Sequence, residues 1–424
     1  MSSPRWKEDL IELGMMGRKV PARVESYAQL DLEKGLCRFE GTQEIKKSKD
    51  YVIARMKESG LKVRLDKVGN IFGRREGFKT SKGAVMSGSH LDSVVNGGQF
   101  DGPLGVVSAL EAIRIMNDEG FQNERPIEVT VFMGEEASAF RKALLGSGVI
   151  AGKWTADEAL ALKNDEGITL KEALERLELR GDFEMNLADV EYFIETHVEQ
   201  GPILDKGKVP IGIVENITGI TWVTAIVEGE ENHAGTTPMS IRRDPLVAAA
   251  SIVSFANKRA NDMVKEFGGS TVATVGRMLV HPGAPNIIPG RVEMGIDIRD
   301  SNEHNMKHLR REIEQAIANL DDKYGVKTTT EILFEHPPCP CSKAVVNAIA
   351  KAARELGTEA RRMNSGAGHD AQNIAEKVKT GMIFVPSANG ISHSPMEWTN
   401  WQDIEAGIKV LTRTLEGLSK IEGG

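Results

Sequence analysis

The sequence predicts an α/β fold: a main domain whose mostly parallel sheet is flanked by helices, interrupted by a smaller inserted α+β domain. Three observations carry that expectation. Short apolar runs alternate with helical patterns towards both ends of the chain, longer strands of alternating polarity and two long helical patterns fill its middle, and 424 residues exceed one ordinary domain.

In the outer segments "AVMSGS" (84–89), "PIEVTVFM" (126–133) and "GMIFVPS" (381–387) read as buried strands. Helical spacing of apolar residues runs from about Leu104 to Asn117 and from about Trp401 to Leu418. The middle, from about Gly212 to Phe334, offers "TGITWVTAIVEGE", "RVEMGIDIRD" and "VKTTTEILFE" as strands with one wet face. "DPLVAAASIVSFANKRANDMV" and "EHNMKHLRREIEQAIANL" supply helices for the other face. The expected division is 1–211 with 335–424 for the main domain and 212–334 for the insert.

With 40% hydrophobic and 27% charged residues the chain can bury a sizeable core. Its net charge is -8, from 53 Lys+Arg against 61 Asp+Glu, and no long basic run could track phosphates, so no nucleic-acid partner is expected. The start "MSSPRWKEDLIELG" lacks the apolar core of a signal peptide, and no segment approaches the roughly 20 apolar residues of a membrane span. A soluble, cytoplasmic protein is expected. Cys37, Cys339 and Cys341 are odd in number and lack the spacing of a redox or zinc knuckle, which reads as three reduced, structural thiols.

The stretch "SGSHLDSVVNGGQFDGPLGV" (87–106) puts charge into a glycine-dense segment straight after a strand. His90 ends the strand, Asp92 follows two residues on, and Asp101 sits among Gly97, Gly98 and Gly102. Imidazole and carboxylate are ligands for borderline divalent metals. Taken alone, His-x-Asp favours a surface turn in which Asp and Gly serve the backbone. "PIEVTVFMGEEASAF" ends a second strand in adjacent acids, Glu135 and Glu136. Such a pair can divide roles, one carboxylate on a metal and the other taking a proton from water, although an acidic helix start explains the fragment about as well.

His197 in "YFIETHVEQGP" and His393 in "NGISHSPMEWT" follow two further β-like runs. A lone histidine at a strand end is more often a hydrogen-bonded core or rim residue. Four such places favour one site, because strand ends converge on one edge of an α/β sheet. His90, Asp101, Glu136, His197 and His393 number more than one catalytic zinc takes from protein, which points to two metals bridged by a carboxylate. The rival "HNMKH", with His304 and His308 one helical turn apart, lacks the glutamate of a zinc-protease helix, having Asn305 there.

From about Phe39 onward the chain resembles the two-metal amidohydrolase family of N-carbamoyl-L-amino-acid hydrolases, allantoate amidohydrolases and β-ureidopropionases, relatives of aminoacylases and carboxypeptidases. The resemblance rests on "GSHLDSVVNGGQFDGPLGV", "EE", "HVEQGP", "HAGTTPMSIRRD", "PNIIPGRVEMGIDIRD", "SGAGHDA" and "ISHSP", in that order. It implies two divalent ions, zinc, manganese or cobalt: one on His90, Asp101 and His197, the other on Asp101, Glu136 and His393. Asp92 would orient His90, and Glu135 would be the general base. It also implies that the outer segments form the metal-binding catalytic domain and the insert a lid and dimerisation domain that closes over the metals.

The resemblance further implies a ureido substrate, since the peptidase relatives usually have an acid where this chain has His197. His233 in "ENHAGTTPM" would polarise the substrate carbonyl, reaching into the partner subunit of a homodimer; unaided, it reads as a turn histidine. Arg299 in "GIDIRD" would grip the substrate carboxylate through two hydrogen bonds, with Asn286 and Gln200 adding others. Without the family pattern Arg299 is a solvated strand-end charge. His369 in "SGAGHDA" carries no assigned role. Ala137 and Ala139 in "EEASAF" stand where relatives carry glycine and arginine, which bears on the pocket and the substrate. The implied activity is N-carbamoyl-L-amino-acid hydrolysis to amino acid, CO2 and ammonia. Allantoate or ureidoglycolate amidohydrolase and β-ureidopropionase are the alternatives, with an aminoacylase, a peptidase or a non-catalytic metal-binding scaffold behind them.

Overall fold

The computed structural model describes residues 3–18, 20, 22–79 and 83–420. In chain order its first strands are β1 (Lys62–Leu65), β2 (Ile71–Arg75), β3 (Ala84–His90), β4 (Ile127–Phe132), β5 (Val190–Val198) and β6 (Ile211–Ile217). There follow β7 (Gly219–Glu228), β8 (Asn232–His233), β9 (Val272–His281), β10 (Ile287–Ile288), β11 (Arg291–Asp300) and β12 (Lys327–His336). The last are β13 (Cys339–Pro340), β14 (Ala360–Ser365) and β15 (Lys379–Val385). The chain divides into two units, one built from the residues up to Glu215, Cys341–Ser365 and His369 onward, the other from Asn216–Pro340 and Gly366–Gly368.

The first unit is organised on a sheet of order β1-β2-β4-β3-β5-β15-β6, with β14 also paired to β6. Its four central strands, β4, β3, β5 and β15, are parallel; at the flanks β2 pairs antiparallel with β4, β1 antiparallel with β2, and β6 antiparallel with β15. Every residue of β3 and β4 is buried, as is all of β15 beyond Lys379. That is why these strands read as continuous apolar runs: helices cover both faces of a parallel sheet and leave no wet side to encode. The helix Pro103–Asp118 packs on β3 and β5, and Trp401–Ser419 packs on that helix and on β15. The helix Lys343–Glu355 packs on β15 and on Trp401–Ser419.

Parallel pairing brings equivalent ends together. His90 of β3 is in register with Phe132 of β4, and His197 of β5 with Phe384 of β15. One sheet edge therefore receives the residues that close four different strands, the arrangement in which α/β proteins build their sites.

The second unit carries an antiparallel sheet of order β12-β7-β11-β9, covered by the helices Pro245–Phe267 and Glu303–Ala318. Along β11 Val292, Met294, Ile296 and Ile298 are buried, while the residues between them are only partly so. The alternation puts one side of the strand into a core shared with Ala248, Ile252, Leu309 and Ile313 of the helices. Asp244 and Asn302 start the two helices by accepting backbone N–H groups of the first turn. The sequence patterns did not single out β9. It lies at the edge of the sheet, six of its ten residues are exposed, and Gly276 and Arg277 break the alternation, so its polarity resembles that of a loop. No helix among the described residues is long and apolar enough to cross a membrane.

Candidate metal centre

Within the first unit, His90 closes β3, His197 is the penultimate residue of β5, and Glu135 and Glu136 follow the end of β4. Asp101 precedes the helix Pro103–Asp118, and His393 lies in the segment between β15 and Trp401–Ser419. The fold gathers them. Nε2 of His90 is 3.5 Å from Oδ1 of Asp101, and Nε2 of His197 is 3.3 Å from the same oxygen. On the other side of the carboxylate, Nε2 of His393 is 3.4 Å from Oδ2 of Asp101 and 3.5 Å from Oε2 of Glu136. The ligand atoms of His90, Asp101 and His197 lie within 4.8 Å of one another, as do those of Asp101, Glu136 and His393. Asp101 is common to both groups.

The imidazole tautomers follow from their neighbours. Nδ1 of His90 stands 3.1 Å from the backbone oxygen of Asp92, and Nδ1 of His197 stands 3.0 Å from that of Val198. A carbonyl only accepts, so both Nδ1 atoms carry the hydrogen and both Nε2 atoms offer lone pairs in the neutral rings. Lone pairs facing carboxylate oxygens need a positive charge between them.

The spacing suits a metal better than a proton. Charge-assisted N–H···O bonds measure about 2.7–2.9 Å, whereas ligands about 2.0–2.15 Å from a tetrahedral zinc stand about 3.3–3.5 Å apart. The four Nε2 to oxygen separations fall in the second range. Oε1 of Glu136 is buried and has no hydrogen-bond partner, another acceptor left for a cation.

The electrostatics agree. Burial works against charge on His90, but Glu135, Asp101 and Asp92 outweigh it and hold the imidazole well above its ordinary range. Burial raises Asp101 too, but the facing imidazoles of His197, His393 and His90 outweigh that and hold it well below the usual carboxylate range. The facing Asp101 carboxylate raises His393 to about 9, and burial followed by the charge of Asp101 pushes Glu136 up to about 8. The cluster draws positive charge, and protons and a divalent cation compete for the same atoms.

Glu135 belongs to neither group around Asp101, though it groups with His90 and Glu136 within the same ligand distance, its Oε2 3.9 Å from Nε2 of His90. The two acids are held by Asp92, whose Oδ1 accepts the Glu135 amide at 3.2 Å and whose Oδ2 accepts the Glu136 amide at 3.0 Å. Asp92 also faces Nδ1 of His90 with Oδ1 at 3.5 Å. Gln200 lies at the centre too, its Nε2 donating to Oδ2 of Asp101 at 2.7 Å.

A further grouping, Glu195, His197 and His369, also lies within ligand distance. Its atoms are already engaged: Ser89 Oγ and the Ala371 amide donate to Glu195 at 2.7 and 3.1 Å, and Nε2 of His369 meets Ser365 Oγ at 2.9 Å. The His369 ring packs against that of His197 with centroids 4.6 Å apart, which places it behind the His197 imidazole.

Two acids were not singled out from the sequence. Glu195 precedes His197 by two residues in β5, and the period of a strand puts both on one side; that signal was available. Glu397 is fully buried, and its Oε1 accepts the amides of Phe100 and Asp101 at 2.9 and 3.0 Å while Ser392 Oγ donates to Oε2 at 2.8 Å. Nothing local in "SPMEWT" announces that contact.

His233, Asn286 and Arg299 belong to the second unit. His233 is exposed on β8, opposite Ile287 of β10, and its Nδ1 accepts the amides of Gly235 and Thr236 at 2.9 and 3.2 Å. Its Nε2 is thereby the protonated nitrogen of the neutral ring. Asn286 is exposed next to it, its backbone oxygen accepting from Ala234 at 3.0 Å. Arg299, at the end of β11, donates from Nε and Nη2 to Asp297 at 2.8 and 2.9 Å and from Nη1 to Gly366 O at 3.2 Å. One N–H on each terminal nitrogen remains for an incoming carboxylate.

The description of peptidase family M20/M25/M40 matches residues 86–417. The chain belongs to that family. The family is metal-dependent, and the ligand groups around Asp101 suit such a member. The chain is 39% identical over 417 residues to an N-carbamoyl-L-amino acid amidohydrolase of Geobacillus stearothermophilus, covering 97% of this chain and 98% of that protein. It is 33% identical to an allantoate amidohydrolase of Bacillus subtilis, covering 91% of this chain and 93% of that one. Among solved structures it is similar to a hydantoinase/carbamoylase-family amidase from Burkholderia multivorans, with a TM-score of 0.86, 36% identity and 97% of both chains covered. The mostly parallel central sheet flanked by helices is the fold of this family.

Proposed function

We propose that the protein is a metal-dependent hydrolase of a linear ureido C–N bond, acting on an N-carbamoyl-L-amino acid. The observation that carries the chemistry is Asp101, shared by His90 and His197 on one oxygen and by His393 on the other, with Glu135 beside the group. The substrate class rests on the similarity to carbamoyl amino acid amidohydrolases over nearly the whole chain.

Two divalent ions, zinc, manganese or cobalt, fit the donor set, one on His90, Asp101 and His197 and the other on Asp101, Glu136 and His393. When bound they supply Lewis acidity, polarising the ureido carbonyl and acidifying water. Glu135 takes a proton from the attacking water and returns it to the leaving nitrogen. Asp92 keeps Glu135 and Glu136 in place through their amides and faces His90. His233 donates from Nε2 to the oxygen on which negative charge develops, and Arg299 takes the substrate carboxylate on its two remaining N–H groups, with Asn286 and Gln200 adding hydrogen bonds. Addition of one water to the ureido carbon releases the amino acid and carbamate, which breaks down to CO2 and ammonia.

His233 serves a second copy of the chain in a homodimer. The edge strand β9 and the adjoining helix Pro245–Phe267 support this, since Val272, Leu279, Val253, Val264 and Phe267 leave apolar surface exposed there. Allantoate is the second reading, supported by the similarity to the Bacillus subtilis enzyme.

Ammonia release by manganese-loaded protein on N-carbamoyl-L-amino acids, N-carbamoyl-β-alanine, allantoate, ureidoglycolate and N-acetyl amino acids tests the proposal. Turnover of a carbamoyl amino acid is expected to exceed all others. Turnover confined to N-acetyl amino acids would remove the ureido assignment.

A further inference from the structure

Beyond Phe132 the chain leaves the sheet, and its amides lose the partners that β3 and β2 gave to β4. Four consecutive N–H groups then go to side-chain oxygens. Met133 donates to Oδ1 of Asn70 at 2.8 Å, Gly134 to Oε1 of Glu40 at 3.2 Å, and Glu135 and Glu136 to the two oxygens of Asp92. The carbonyls of Met133, Gly134 and Glu135 are taken in turn by the amides of Gly146, Leu145 and Leu144. A run of backbone held on both sides in this way has little freedom to shift.

The acceptors are themselves fixed. Nζ of Lys49 reaches both oxygens of Glu40 at 2.9 Å, and both side chains are buried. Nδ2 of Asn70 donates to Oδ2 of Asp66 at 2.6 Å and to Gly146 O at 3.2 Å, which settles which amide atom faces Met133. Gly134, immediately before the acids, has φ +63, a left-handed conformation that turns the chain towards the centre.

We infer that Glu40 and Asn70 are positioning residues for Glu135 and Glu136: by holding the amides of Gly134 and Met133 they fix where β4 delivers both carboxylates. Neither belongs to the groups of side chains that could hold a metal. A shift of about 1 Å at a reacting group can cost about a hundredfold in rate. The inference rests on the reading that Glu135 moves the proton.

Two double variants separate positioning from bulk stability. Glu40→Gln with Lys49→Met keeps an oxygen for the Gly134 amide while removing the charge pair; Glu40→Leu with Lys49→Met removes that oxygen as well. Pairing the changes avoids stranding one buried charge. Both should lose stability. Only the second should lose about tenfold or more in kcat with KM within about twofold, and only in it should amide exchange of Gly134–Glu136 quicken by about tenfold or more. Asn70→Ala, read in the same two ways, gives an independent answer should the leucine variant not fold. Equal kcat and equal exchange across the folded variants would overturn the inference. Glu135→Gln keeps the two readings apart: full turnover in that variant would remove its proton role, while the exchange rates would still report on the frame.

Discussion

The buried carboxylate of Glu397 accepts the backbone N–H of Asp101 at 3.0 Å, across 296 residues of chain. A side chain near the C-terminal helix thus fixes the backbone of the residue whose two oxygens meet all three histidines. Glu397→Ala leaves the Phe100 and Asp101 amides buried without an acceptor, and metal affinity should fall by about 10–100-fold. Glu397→Gln, which keeps an oxygen, should lose much less. Competition with a metal-sensitive chelator measures both; equal affinity in the alanine variant and the parent would deny Glu397 this part.

Because Asp101 is shared, the ligands should differ in how many ions they govern. Metal analysis of purified, manganese-loaded protein should find two ions per chain in the parent, one in His393→Ala and close to none in Asp101→Ala. An Asp101→Ala protein that still holds two ions would contradict the bridging role.

Gly102 has φ +85, and a Cβ there would meet the His90 ring at 2.5 Å. Gly102→Ala therefore meets both backbone strain and a clash with the His90 ring, and should cost about 1–2 kcal/mol or more of stability together with weaker metal binding. Urea unfolding and metal titration of the variant check it. Parent-like values for both would show that the loop can relax.

Burial pushes the Asp66 carboxyl up to about 6, against hydrogen bonds from Asn70 and Val68. An acid with a raised folded-state pKa keeps its proton in the folded chain after the unfolded chain has lost it. Stability from this group therefore falls as pH rises from about 4 to about 6 and stays lower above, by about 3 kcal/mol at most. Asparagine does not titrate, so from pH 4 to pH 7 the stability gap should move by about 2–3 kcal/mol in favour of Asp66→Asn. Hydrogen bonds lost by the substitution are the same at both pH values and cancel. Denaturant unfolding at the two pH values checks the prediction, and a gap independent of pH contradicts it.

The central strands were legible because burial on both faces makes β3, β4 and β15 continuous apolar runs, and the metal-ligand candidates stood out as charges placed where such runs stop. β11 was legible through its alternation. The edge strand β9 was not, since most of it is exposed and Gly276 interrupts its pattern. Nor were Glu397, Glu40 and Asn70, which act through backbone atoms of distant segments; an acceptor for a remote amide leaves no local pattern. The roles suggested for His233 and Arg299 came only from resemblance, as an exposed turn histidine and a strand-end arginine carry no chemical signal alone.

The measurement that bears most directly on the mechanism is the turnover and metal content of Glu135→Gln on an N-carbamoyl-L-amino acid. Glutamine keeps the shape and the backbone contacts to Asp92 but cannot take a proton from water. The variant should hold as much metal as the parent and lose about 10²–10⁴ in kcat. Parent-like turnover with metal bound would show that Glu135 is not the proton carrier and that the chemistry at Asp101 runs by another group.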